Sequence, residues 1–103
     1  MKQLQIQLQP QRSPELQATE AVSRLTRLSE RVRVTEGEDN AQYISLDFTT
    51  ADLSSLWSVI RRELQATPGL AKGAIIVCEG EHGREDYLLL HHFDPQQQLD
   101  TLN

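Results

Sequence analysis

From Gln3 to Gln9 the chain alternates amide and aliphatic side chains, with Leu4, Ile6 and Leu8 set between Gln3, Gln5, Gln7 and Gln9. A period of two places the aliphatic set on one face and the amides on the other, which predicts a half-buried strand ended by Pro10. Ser13-Pro14-Glu15 has the composition of a helix start, with Ser13 as N-cap and proline at the first helical position. Leu16, Ala18, Ala21, Val22, Leu25 and Leu28 then recur at helical spacing, predicting an amphipathic helix that reaches Glu30.

Val32 and Val34 open a second alternating strand, and Gly37 to Ala41 is turn-forming. Ile44, Leu46 and Phe48 mark one face of a third strand, with Tyr43, Ser45 and Asp47 on the other. Thr49, with Asp52 three residues on, is the expected cap of a second helix. Leu53, Leu56, Trp57, Ile60 and Leu64 form its apolar stripe, and Thr67-Pro68-Gly69 ends it. Ala74 to Cys78 and Tyr87 to Phe93 predict two further strands around a turn at Gly80-Glu81-His82-Gly83. Asp94-Pro95 closes the last of them. The expected organisation is one domain over residues 1–95 and a polar C-terminal tail over 96–103.

The order β-α-β-β-α-β-β matches, in its first six elements, the ferredoxin-like split βαβ arrangement. The predicted fold is therefore α+β: an antiparallel sheet with an extra C-terminal strand and both helices on one sheet face. Element order of this kind is shared by many activities and assigns none. A faint repeat relates Val34–Asp39 to Val77–His82, each beginning a hairpin after a helix.

At 103 residues the chain suits a single core. Its 38% hydrophobic and 24% charged content is that of a folded protein. A formal charge of −5, with Lys2 and Lys72 the only lysines, disfavours a broad phosphate-binding surface. Nucleic acid is therefore not an expected partner, although Arg24, Arg27 and Arg31 share helical spacing. No stretch approaches the ~20 apolar residues that cross a membrane, and Met1–Pro10 lacks the continuous apolar run of a signal peptide. Cys78 is the single cysteine, so no intrachain disulfide can form. A cytoplasmic location without a membrane partner is the resulting expectation.

Candidate chemistry is sparse. His82, His91 and His92 stand near Glu79, Glu81, Glu85 and Asp86, but His91 and His92 are adjacent on a strand and point to opposite faces. His82 lies at a hairpin tip, so no metal site is expected. Cys78 sits inside an apolar run, where an inert thiol is the ordinary state. Gly69-Leu70-Ala71-Lys72-Gly73 lacks the spacing of a phosphate loop. No catalytic residue or cofactor is assigned, and enzymatic status stays open.

Three surfaces remain as functional candidates. The acidic hairpins, Glu36, Glu38 and Asp39 with Glu79 and Glu81, would suit docking on a basic protein, as inhibitors or immunity-type proteins do. Tyr43, Asp47 and His91 would line a small-molecule or enzyme site on the open sheet face. Tyr87 to Leu90 and Ala74 to Cys78 are apolar without alternation, the pattern of strands buried on both faces. Two helices cover only one face, so Leu99 and Leu102 of the tail or a second copy must cover the other. The favoured expectation is a non-enzymatic interaction or regulatory protein, a homo-oligomer associating through Tyr87, Leu89, His91 and Phe93.

Overall fold

The structure is a computed structural model that describes residues 1–36, 43–67, 69–80 and 83–102. In chain order the elements are β1 (Lys2–Leu8), a 3-10 turn (Pro10–Arg12), α1 (Ala18–Thr26), β2 (Val32–Glu36), β3 (Ile44–Thr50), α2 (Leu53–Ala66), β4 (Ala74–Gly80) and β5 (Gly83–His91). The strands form one sheet in the order β2-β3-β1-β4-β5, and every neighbouring pair is antiparallel. This is the ferredoxin-like α+β fold, with β5 added outside β4 and both helices packed on one side.

β1 is the centre of the sheet. Leu4 lies opposite Phe48 and Cys78, Ile6 opposite Leu46 and Ile76, and Leu8 opposite Ile44 and Ala74. The even-numbered side chains of β1 thus meet those of β3 and β4 beneath the helices. Ala21 and Leu25 of α1 and Leu53, Leu56 and Ile60 of α2 close over them, all buried. Each fully buried aliphatic side chain contributes roughly 1.5–3 kcal/mol relative to exposure, so this layer supplies the main cohesion of the fold.

α1 starts later than its sequence signal. Gln17 is its N-cap, without a side-chain hydrogen bond, while Ser13 closes the 3-10 turn by donating its N–H to the Pro10 carbonyl at 3.2 Å. The cause is tertiary. Gly69 has φ +80°, and a Cβ there would lie 2.7 Å from the Leu16 nitrogen. The backbone after α2 therefore packs directly on residues 13–16, and Leu16 enters the core from a loop. The helix also ends at Thr26, before Glu30. The N–H groups of Arg27 and Leu28 tighten onto the Arg24 and Leu25 carbonyls at 3.3 and 3.1 Å, a three-residue closure of the last turn.

The cap of α2 is Asp52 and not Thr49. Asp52 accepts hydrogen bonds from the Ser55 N–H at 3.1 Å and the Ser55 hydroxyl at 2.8 Å. Thr49 stays in β3, donating its N–H to the Arg31 carbonyl at 3.0 Å. β5 ends at His91, so Phe93 falls beyond the strand on which the sequence places it.

Candidate functional site

Strand register sets the composition of the face that carries no helix. Arg33, Asp47, Gln5, Val77 and Leu89 stand side by side across all five strands. Beside that row, Thr35, Ser45, Gln7 and Ile75 align in one direction, and Thr49 with Gln3 and Glu79 with Tyr87 in the other. The face is therefore polar over β2, β3 and β1 and turns apolar over β4 and β5. Gln5 donates its amide N–H to Asp47 at 3.0 Å, which ties the polar half together. Ile75, Val77 and Leu89 are half-buried on the apolar half, and Tyr87 is 59% exposed.

A β-bulge divides the predicted interface set. Val77 pairs with Leu89 but Ile76 pairs with His91, so Leu90 is an extra residue in β5. Leu90 drops into the core, and His91 moves to the helix side of the sheet. There its Nε2 lies 2.8 Å from the Ala71 carbonyl. A carbonyl only accepts, so Nε2 carries the proton in that bond. Phe93 lies past the strand end, under the Arg12 guanidinium at 4.1 Å and against the His92 ring at 4.3 Å. Of the four residues, Tyr87 and Leu89 share the open face and the other two leave it.

The same bulge removes His91 from the expected small-molecule grouping. Asp47 lies on the open face, Tyr43 precedes β3, and His91 is on the opposite side of the sheet. Of the acidic hairpins, Glu38, Asp39, Glu81 and the side chain of Glu36 lie outside the described residues, as does His82. Glu79 belongs to β4 and receives the Gln3 N–H at 3.4 Å on the open face.

The C-terminal segment lies against the domain. Asp100 hydrogen-bonds the outer edge of β5 at Leu89 through both its carboxylate and its own N–H. Leu102 packs against the core beside α2. The tail thus clasps the β5 edge at Leu89 and packs on the helix side, and neither contact lies on the open face. Between the tail, α2 and the end of β5 is a cleft of about 570 Å³, walled mainly by Trp57, Arg61, Leu64, Leu90, Leu99 and Leu102. The sequence hides this site because Leu99 and Leu102 stand among polar residues in a segment without periodicity.

Other chemistry is quiet. Among the described residues no group of three or more His, Cys, Asp or Glu side chains gathers for a metal. Cys78 is buried, and burial pushes its thiol above the ordinary range. The arginine stripe of α1 is broken up: Arg24 pairs with Glu20 at 3.0 Å and Glu63 at 3.8 Å, and Arg31 turns to the Met1 sulfur. Among the described residues no helix is long and apolar enough to cross a membrane. Compared with protein-family models, characterised proteins and solved structures, the chain matches none.

Proposed function

We infer that the chain is a non-enzymatic interaction protein that associates with a second copy through the open face of β4 and β5. The observation behind this reading is where the tail goes. Leu102 packs on the helix side and Asp100 on the strand edge, so neither covers Ile75, Val77, Tyr87 and Leu89. A contiguous apolar strip beside a polar field has the anatomy of an interface core with its rim. Arg33, Asp47 and Gln5 supply that rim, and Tyr87 the large exposed anchor that interfaces favour. The clasp at Leu89 obstructs strand addition to the β5 edge, which favours contact through the face. Twofold self-complementary pairing is the commonest solution for such a patch.

Sedimentation equilibrium over a wide concentration range tests this. The expected mass is twice the 11.7 kDa of the chain, with Leu89→Asp returning it to 11.7 kDa while circular dichroism stays native. A native chain that stays at the single-chain mass throughout overturns the reading. A dimer indifferent to Leu89→Asp overturns the choice of face.

A further inference from the structure

We propose that the cleft between α2, the end of β5 and the tail binds a small anionic amphiphile, a carboxylate carried on an aliphatic body. The site lies on the helix side of the sheet, away from the β4–β5 strip, and stands independently of the self-association reading. Its volume of about 570 Å³ falls within the ~300–1,000 Å³ typical of ligand pockets. Leu64, Leu90, Leu99 and Leu102 make its walls aliphatic, and Leu99 is left 47% exposed at the rim.

Charge selects the head group. Arg61 contributes to the wall with its guanidinium 6.0 Å from the Trp57 ring centroid. Among the described residues no carboxylate lies within ion-pair distance of it, whereas Arg24 on the neighbouring helix meets two. In a chain of net charge −5, a cation with no carboxylate partner among the described residues, at the edge of an apolar cleft, can meet an anionic group from solution. A guanidinium presents forked N–H donors that match a carboxylate. Asp100 is the one acidic side chain on the wall, and its carboxylate is turned to the Leu89 N–H at 2.8 Å. Gln65 and Thr101 add neutral hydrogen-bonding groups that accommodate either oxygen of a carboxylate.

Trp57 is the only tryptophan, so its fluorescence reports this cleft alone. The full chain is titrated with decanoate below its micellar concentration, and in parallel with decanol and decyltrimethylammonium. Decanoate is expected to give a saturable change, the ammonium none, and decanol a weaker one. Arg61→Gln should weaken decanoate by about tenfold, the worth of a charge-assisted hydrogen bond, and leave decanol unchanged. Leu99→Ala should weaken both. Amide NMR shifts induced by decanoate should centre on Ala71 and Leu99 to Leu102. The proposal is overturned by an unsaturable response to decanoate, by equal or tighter binding of the alcohol or the ammonium, by an Arg61→Gln chain that binds decanoate normally, or by shifts centred elsewhere.

Discussion

Leu89 and Asp100 are joined twice: the Leu89 N–H donates to the Asp100 carboxylate and the Asp100 N–H donates to the Leu89 carbonyl, each at 2.8 Å. An outer strand otherwise offers unpaired backbone groups to other chains, and here a side chain and its own backbone satisfy both groups of one residue. Asp100→Ala is expected to speed hydrogen exchange at the Leu89 amide about five- to tenfold, equivalent to ~1 kcal/mol for one hydrogen bond. Asp100→Asn, which keeps an acceptor oxygen, should exchange close to the native rate. An unaltered Leu89 amide in Asp100→Ala would show that the clasp does not form in solution.

Burial predicts a sharp contrast between two aliphatic positions. Ile60 is fully buried beneath α2, whereas Val34 on the outer strand β2 is 41% exposed. Ile60→Ala should lower stability by roughly 2–5 kcal/mol, and Val34→Ala by about 0.5 kcal/mol or less. Urea unfolding with an unchanged m-value measures both. Equal costs would mean that α2 does not seat on the sheet as described.

Asp52 makes the stability of α2 depend on pH. The Ser55 N–H, and then the Ser55 hydroxyl, hold the Asp52 carboxyl below its ordinary pKa of 3.8. A folded-state pKa below the unfolded one gives stability that is present above the unfolded value and lost as pH falls through the folded one. The melting-temperature deficit of Asp52→Ala should therefore be largest above about pH 5 and shrink below about pH 4. A deficit that is constant with pH would show that the cap acts without its charge.

Cys78 should be chemically silent in the native state. It is 1% exposed between the sheet and the helices, and burial raises its thiol pKa, so both access and thiolate fraction are low. An aromatic disulfide reagent should label it only at the rate of unfolding and label it promptly in denaturant. Fast native labelling would place the thiol outside the core.

The period-two segments were legible because burial and alternation coincide there. Leu4, Ile6 and Leu8 face the helices while Gln3, Gln5 and Gln7 face away, and the Leu53-Leu56-Ile60 stripe of α2 follows the same logic at helical spacing. β5 was less legible. Tyr87 to Leu90 is apolar in both phases, so nothing local marks Leu90 as the extra residue that sends His91 across the sheet. Ser13-Pro14 carries a sound capping pattern, yet Leu16 gains more by entering the core under the backbone of Gly69, a contact between distant segments. The faint repeat keeps its order, a helix and then an antiparallel strand pair in each half, but its described residues do not keep their faces. Val34 lies opposite Leu46 on the helix side, whereas Val77 lies opposite Gln5 on the open face.

Because β1 precedes both of its neighbours in the chain, its place at the middle of the sheet sets the order of events as the polypeptide is made. Leu4, Ile6 and Leu8 gain one flank only when Ile44 to Phe48 has emerged, and the other only when Ala74 to Cys78 has followed. Until then the nascent chain carries an aliphatic strand whose partners are distant, the condition under which slow closure and misassociation compete. A product released after α2 would keep β1 with one backbone edge open. A fragment that ends before β4 therefore carries Leu4, Ile6 and Leu8 without the Cys78, Ile76 and Ala74 flank that meets them in the whole sheet.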